Sequence, residues 1–405
     1  MTIKYISPFK PKKFIEFIPK NLNIYTFHAG FKRKKNDLLI IRFKKPFRIS
    51  AVYTKSTLEA APIKWDKNLK SDFCEVLIVN SGNANAFTGV KGLKEINKYI
   101  TIAAKVFKCK KNKIYVSSTG IIGEQLDSNL IISKIKLIKK TKKTGLLNAA
   151  KAIMTTDTFP KIIKEGININ SHKIDIYGIA KGSGMIAPNM GTMLSYIFID
   201  TKLNKSEIDF LLKRNVENTF NSITVDGDTS TNDTVMLFSS NHDNLNYKGK
   251  RSKLIDLISK KLEKVMSNLS MQIISDGEGI NKLIKVNVVK AKSKNQANKI
   301  AFAIANSILV KSAINGEDPN WGRLIMAIGK TLEKIDPAKL SIKIGNQKII
   351  FKGNKKNFKT RELIKYMKNK KIALDIDLGV GKYNKVVWGN DLSHKYLEIN
   401  SEYSS

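Results

Sequence analysis

Residues 181–192 read KGSGMIAPNMGT and place a threonine hydroxyl directly after a glycine in a Gly-rich turn. A threonine hydroxyl is a weak nucleophile unless a base lies beside it, and the threonine's own α-amino group is one such base. That amine becomes free only when the bond between Gly191 and Thr192 is cut. Because Gly191 has no side chain, its carbonyl is open to attack and its backbone tolerates the strain of an N-to-O acyl shift. Taken alone, the stretch predicts either a self-cleaving nucleophile or an ordinary turn.

Apolar stretches lie on both sides of this turn. Residues 173–185 and 192–200 are typical of two strands, with Thr192 at the start of the second. Residues 38–53 and 73–81 also have strand composition. Helical apolar spacing predicts helices at 93–109, 128–151, 205–220, 251–268, 294–311 and 359–369. Because strands and helices are mixed throughout the chain, we expect an α/β fold.

The chain is strongly basic, with 72 Lys and Arg against 34 Asp and Glu among 405 residues and a formal net charge of +38. The lysines are scattered through every segment together with Ile and Asn, and no aromatic-interleaved basic motif or recognition-helix pattern concentrates them. We therefore expect a solvated lysine surface and no nucleic-acid partner. A non-enzymatic polyanion-binding protein is the alternative from another functional class.

Cysteine and histidine are too sparse for a disulfide framework or a His/Cys metal site. The chain has only Cys74 and Cys109, and its four histidines lie far apart in the sequence. The first 14 residues are basic but interrupted by proline and lack a long apolar core, unlike a secretory signal. No apolar run reaches the length of a membrane span. We expect a cytoplasmic protein with neither a metal nor a membrane partner.

Three further stretches contain candidate functional residues. Residues 116–123, VSSTGIIG, are either a plain β-turn or an oxyanion hole made by the Thr119 hydroxyl and the Gly120 N–H. Glu278 is a carboxylate between glycines, suited to an ammonium ion or to solvent. Residues 224–234, TVDGDTSTNDT, lack the sixth-position glycine and twelfth-position carboxylate of an EF-hand, so we expect a turn beside the site instead of a calcium loop.

Taken together, motifs along nearly the whole chain resemble the ornithine acetyltransferase family of arginine biosynthesis, the bifunctional glutamate N-acetyltransferases. Several long motifs in a fixed order are far more specific than any one of them. In chain order they are LEAAPIKW, LIVNSGNANAFTG, SSTGIIGE, IMTTDTFPK, KGSGMIAPNMGTML, ITVDGDTSTNDT, DGEG, SAINGEDPNWGR, DLGVG and EINSEYSS.

The resemblance implies a layered mixed α/β sandwich of the ornithine acetyltransferase/aminopeptidase type, with a smaller C-terminal α/β unit at about 282–390. It implies self-cleavage before Thr192 into an α chain, 1–191, and a β chain, 192–405, assembled as a heterotetramer of two α and two β chains. The enzyme would move acetyl from N²-acetyl-L-ornithine to L-glutamate through an acetyl-Thr192 intermediate, without a cofactor. Acetyl-CoA is a further donor for many members, and the sequence does not decide whether this chain uses it.

The resemblance also assigns the site. Thr192 is the nucleophile, and Thr119 and Gly120 form the oxyanion hole. The implied substrate-binding residues are Thr155, Lys181, Thr192, Glu278, Asn400 and Ser405. Within the TTDT stretch, Thr155, Thr156 and Thr158 are each able to be the contact.

The chain departs from the family at the residue before the nucleophile, which is usually Ala and here is Gly191. We expect cleavage to remain sterically easy, but glycine at this position can give a rate that differs from that of family members with Ala. The enzymatic alternative is an N-terminal-nucleophile aminopeptidase or amidohydrolase, in which the same acyl-enzyme is released by water instead of by an amine.

Overall fold

The computed structural model describes residues 5–169, 172–187, 193–241 and 249–402. Three residues of the predicted site, Gly191, Thr192 and Ser405, therefore lie outside the described residues. Within the described part, eight strands form a large mixed sheet with the order β4-β3-β2-β8-β7-β6-β5, and β1 pairs with β2. These strands are β1 (Leu22–Phe27), β2 (Leu38–Tyr53), β3 (Phe73–Asn83), β4 (Ile114–Ile121), β5 (Lys161–Ile169), β6 (His172–Lys181), β7 (Leu194–Ile199) and β8 (Thr234–Ser239).

Helices cover both faces of this sheet, because alternate residues of each strand point to opposite sides. In β7, Phe198 joins an aromatic core with α4 and stacks on Phe238 with ring centroids 5.1 Å apart, whereas Ile197 packs with α5 and α6. Near β4, the sheet face to which Ile197 points is covered by α2 and α3. The helices of this part are α1 (Ala61–Lys67), α2 (Gly89–Phe107), α3 (Ser128–Leu137), α4 (Leu146–Ile153), α5 (Lys205–Val216) and α6 (Arg251–Ile274).

A second, six-stranded sheet follows in the chain, with the order β12-β11-β10-β13-β9-β14. Its own buried core includes residues of α7, α8, α9 and α10. The elements are β9 (Leu283–Ala291), α7 (Lys294–Ala305), α8 (Ile308–Asn315), α9 (Trp321–Gly329), β10 (Ser341–Ile344), β11 (Gln347–Phe351), β12 (Asn354–Lys355), α10 (Thr360–Met367), β13 (Lys371–Asp377), β14 (Tyr383–Asn390) and α11 (His394–Glu402). The predicted α/β class, with sheets and helices in layers, is confirmed.

Two predicted helices are each divided into two in the structure, and the helices expected over 205–220 and 251–268 end at Val216 and Ile274. The helix expected over 128–151 is two helices, since the Thr144 amide donates to the Ile24 carbonyl at 2.9 Å and Gly145 is extended before α4 begins. The helix expected over 294–311 is interrupted after Ala305, because the extended Ser307 caps α8 by accepting a hydrogen bond from the Val310 amide. Both interruptions use capping or turn residues that apolar periodicity alone does not detect.

Candidate active site

A cavity of about 200 Å³ opens where β3, β4 and β6 end, beside α11 and the loop after α6. Six of the residues predicted from the sequence line it together: Thr119, Gly120, Thr155, Lys181, Glu278 and Asn400. They come from positions between 119 and 400, so only the fold brings them to one place. The three others, Gly191, Thr192 and Ser405, lie outside the described residues, although Leu194 pairs with Lys181 across β6 and β7.

The predicted oxyanion pair stands at the end of β4. Gly120 has φ +133°, a conformation that favours glycine, and a Cβ there would lie 2.3 Å from the Gly82 carbonyl carbon. The Thr119 hydroxyl accepts a hydrogen bond from the Lys181 ammonium at 3.2 Å. Because an ammonium group only donates, the hydroxyl keeps its own hydrogen for an acceptor in the cavity.

Lys181 is a cation held almost entirely away from water, with 5% of its surface exposed. Burial lowers the pKa of Lys181, and the nearby carboxylates of Asp157, Asp233 and Glu278 oppose that shift. An anion bound in the cavity would therefore gain a poorly solvated positive partner. This is the environment in which a charge-assisted hydrogen bond to a substrate carboxylate is strongest.

Glu278 and Asn400 also line the cavity and are bonded to each other. The Asn400 amide nitrogen donates to Glu278 Oε2 at 2.9 Å, and this bond ties α11 to the cavity. Gly184 packs directly against the same carboxylate, since a Cβ there would lie 2.4 Å from Oε2. Asn400 and Gly184 therefore both lie directly against this carboxylate, which lines the cavity.

The structure separates the three candidate threonines of the TTDT stretch. Thr155 and Thr156 line the cavity, and the Thr156 hydroxyl lies 2.6 Å from that of Ser183. Thr158 instead donates its amide at 2.8 Å and its hydroxyl to the Asp276 carboxylate. Thr158 is thus engaged in structural bonds, and the substrate-contact assignment narrows to Thr155 and Thr156.

A fully buried charge cluster, which the sequence did not predict, lies beneath the cavity. The Lys161 ammonium donates to Asp157 at 2.6 Å and also bonds Asp276, and both ion-pair partners are completely buried. Burial opposes the charge on all three groups, but the carboxylates raise the pKa of Lys161 and the lysines lower that of Asp157. For Asp276, burial dominates and its pKa is raised.

The remaining bonds of Asp157 reach the cavity itself. Its Oδ1 accepts the Gly182 amide at 2.7 Å, and its Oδ2 accepts the Thr155 amide at 2.9 Å. The buried cluster therefore fixes the backbone on two sides of the cavity. The sequence contained one indication of this cluster: Asp157 and Lys161 lie in the IMTTDTFPK motif, and Asp276 begins the DGEG motif.

Asn232 also lines the cavity, although the sequence did not identify it as a site residue. Its amide nitrogen donates to the Ala84 carbonyl at 2.7 Å and to the Ser118 carbonyl at 2.9 Å. It therefore holds the ends of the parallel strands β3 and β4 together directly beside Thr119. These two hydrogen bonds stabilise the backbone geometry that an oxyanion hole requires.

Three further features concern the described residues, 5–169, 172–187, 193–241 and 249–402. No three His, Cys, Asp or Glu side chains there are grouped so that they would hold a metal ion. No helix among these residues is long and apolar enough to cross a membrane. Cys74 and Cys109 are both free thiols.

Removing the Lys161 charge tests the buried cluster. Lys161→Met would leave two buried carboxylates without their cation, a change that costs about 3–5 kcal/mol of unfolding free energy. Chemical denaturation of wild type and variant at equal protein concentration measures the difference. Lys164→Met, which removes a partly exposed lysine of the same strand paired with Asp175 at 3.0 Å, is the matched control and should cost less than about 1 kcal/mol. Equal losses from the two variants would contradict the account.

Comparison with known proteins assigns the chain to a family. The ArgJ family matches residues 23–405. The arginine biosynthesis bifunctional protein ArgJ of Bartonella henselae is 42% identical over 389 residues, 95% of each chain. The protein of the same name from Bradyrhizobium diazoefficiens is 40% identical over 409 residues, 99% of each chain. The crystal structure of Bacillus halodurans ArgJ is 32% identical, covering 52% of this chain and 100% of that one with a TM-score of 0.46. This chain belongs to the ArgJ family of arginine-biosynthesis enzymes.

Proposed function

We propose that this protein is an acetyltransferase that moves the acetyl group of N²-acetyl-L-ornithine to L-glutamate, giving L-ornithine and N-acetyl-L-glutamate. Membership in the ArgJ family supports the reaction. The observation that carries it in this chain is the cavity that combines the Lys181 cation, the Glu278 carboxylate and the Thr119–Gly120 pair. Both amino acids carry an α-carboxylate, so Lys181 can serve donor and acceptor alike, whereas Glu278 suits the side-chain ammonium group of the ornithine donor.

The nucleophile would be Thr192, freed by self-cleavage after Gly191 into chains 1–191 and 192–405. Its α-amino group then has a reference pKa of about 7.7–8.0, so a substantial neutral fraction is available near neutral pH. The neutral amine accepts the hydroxyl proton as the threonine oxygen attacks the acetyl carbonyl. The base is thus part of the nucleophilic residue itself.

Attack builds a negative charge on the acetyl oxygen, which the Thr119 hydroxyl and Gly120 N–H would stabilise. Collapse of this intermediate breaks the amide bond, and the leaving ornithine amine takes the proton held by the Thr192 amine. The product is an acetyl ester of Thr192. Glutamate then attacks the ester through its own α-amine, and the proton and acetyl group follow the reverse route. The reaction is balanced without a cofactor.

Substrate recognition follows from the two charged side chains, Lys181 and Glu278, that line the cavity. Lys181 is suited to the α-carboxylate and Glu278 to an ammonium group, while Asn400 orients Glu278. Thr155 or Thr156 supplies a further polar contact, and Ser405 at the chain end is included in the proposal from the family resemblance. Acetyl-CoA as an additional donor, a cytoplasmic location and an assembly of two α and two β chains belong to the same proposal.

A transfer assay tests the reaction. We expect isotope-labelled acetyl to move from N²-acetylornithine to glutamate and the Thr192→Ala variant to lose this activity, because it has no hydroxyl to form the ester. Product analysis by mass spectrometry distinguishes transfer from hydrolysis. Labelled acetate without labelled N-acetylglutamate would instead support the amidohydrolase alternative.

The oxyanion assignment predicts a selective effect on the chemical step. Thr119→Ala should lower kcat by about 10²- to 10³-fold, the loss typical of one oxyanion donor, and Thr119→Ser should recover much of it. Steady-state kinetics of the transfer reaction measures both variants. Thr360→Ala, which truncates an exposed threonine at the start of α10, should behave as wild type. A fully active Thr119→Ala variant would show that this hydroxyl is no oxyanion donor.

A further inference from the structure

The loop between β1 and β2, residues 28–37, is held in a fixed shape by its own last residue. The Asp37 carboxylate is completely buried and accepts the Ala29 amide at 2.6 Å and the Gly30 amide at 3.1 Å. It also accepts the Lys32 amide at 2.9 Å. A buried carboxylate needs such donors, and three of them on one short loop fix its backbone. The Lys32 side chain therefore starts from a defined position.

The same loop packs against the strand end beside the predicted oxyanion pair. Gly82, in β3, has φ +112°, and a Cβ there would lie 2.7 Å from the Phe31 carbonyl oxygen. Gly82 pairs with Gly120 across β3 and β4, and Gly120 lines the cavity. The residue directly before Lys32 is thus one strand away from the cavity lining.

The Lys32 side chain reaches the end of α4. Its ammonium group donates to the Met154 carbonyl at 2.5 Å, and Met154 is the extended residue that follows the last turn of this helix. Carbonyl groups at the end of a helix lack partners within it and carry the negative end of its dipole. A lysine ammonium is therefore a favourable partner for this carbonyl.

The peptide group between Met154 and Thr155 is bonded at both of its edges. Its carbonyl accepts the bond from Lys32, and its N–H, which belongs to Thr155, donates to Asp157 Oδ2 at 2.9 Å. Because the atoms of a peptide group lie in one plane, bonds to its carbonyl and its N–H together fix its orientation. Thr155 lines the cavity, so these two bonds set the backbone from which a cavity side chain projects.

Lys32 is half-buried and shares its surroundings with charged groups of the site. Burial lowers the pKa of Lys32 to about 8, the carboxylates of Asp37 and Asp157 oppose this shift, and the cations Lys181 and Lys35 add to it. The ammonium form is still the main one at neutral pH, so its bond to the carbonyl is charge-assisted and stronger than a neutral one.

We infer that Lys32 is a positioning residue for substrate binding, holding the Met154–Thr155 peptide so that the Thr155 hydroxyl meets the bound substrate. The Thr156 hydroxyl already lies 2.6 Å from that of Ser183, which leaves Thr155 the better placed of the two. Lys32 is not among the residues that line the cavity, and it acts through Thr155. This inference rests on the proposed acetyl transfer and deepens it by naming the threonine that contacts substrate.

Steady-state kinetics of the transfer reaction, with N²-acetylornithine varied at saturating glutamate, tests the inference. Lys32→Met keeps the length of the side chain but removes its charge and its donor. It should raise KM about three- to tenfold, the loss expected for one hydrogen bond, and change kcat by less than about twofold. Lys32→Arg keeps a cationic donor and should recover much of this loss. Lys34→Met, at an exposed lysine of the same loop, is the matched control and should behave as wild type.

A double-mutant cycle separates positioning from a general structural effect. Thr155→Ala alone should raise KM to a similar extent, because it removes the hydroxyl that Lys32 positions. Adding Lys32→Met to Thr155→Ala should then cause little further rise, since both substitutions remove one contact. An effect of Lys32 elsewhere in the protein would instead add to that of Thr155→Ala. Thermal unfolding of every variant confirms that the compared proteins are folded.

Each outcome decides the inference. A folded Lys32→Met variant with the wild-type KM would overturn it, as would a KM rise that is equally large in the Thr155→Ala background. Both results leave the proposed function standing. Should Lys32→Met fail to fold, Lys32→Gln, whose side chain is uncharged and shorter, replaces it under the same criteria. A wild-type protein that transfers no acetyl group would overturn the proposed function and the inference together.

Discussion

The site depends on the ion pairs that the buried Lys161 ammonium makes with Asp157 and Asp276. Lys161 and Asp157 precede the proposed cleavage point, whereas Asp276 follows it, so the Lys161–Asp276 ion pair joins the two chains that cleavage would produce. Charges removed from water are expensive, and each group is tolerated here because its partners and hydrogen bonds satisfy it. The same carboxylates fix Gly182, Thr155 and Thr158, which places the cavity directly above the cluster.

Above this base, the chemistry depends on a small, poorly solvated cavity. Lys181 is nearly inaccessible and touches Thr119, so a bound carboxylate and a developing oxyanion would both lie near one positive charge. In such surroundings an aligned donor stabilises charge more than it would in water, and it needs no reorientation during the reaction. Two glycines also shape the cavity. Gly120 lies against the Gly82 backbone and Gly184 against the Glu278 carboxylate, at distances that a Cβ would prevent.

The sequence predicted the residues that line the cavity more completely than the residues that hold them in place. The family resemblance assigned Thr119, Lys181 and Glu278 to one site, and the structure places them in one cavity. The apolar pattern located β2 at its observed bounds, 38–53. The contact between Lys161 and Asp276 was not predictable from spacing, since 115 positions separate them and only the packing of α6 on β5 brings them together. The helix that carries Asn400 was also missed, because α11 has no buried residue and hence no strong apolar periodicity. Spacing alone likewise gave no reason to separate Thr158 from Thr155, which differ only in what the folded chain places beside them.

In the proposed reaction, Thr192 becomes an N-terminal nucleophile and carries the acetyl group. Intact mass spectrometry of the purified protein, before and after brief exposure to N²-acetylornithine, tests it most directly. We expect two chains divided between Gly191 and Thr192, with one acetyl group added to the chain that begins at Thr192 and none to the other. A single uncut chain, or an acetyl group carried by any other residue, would contradict it.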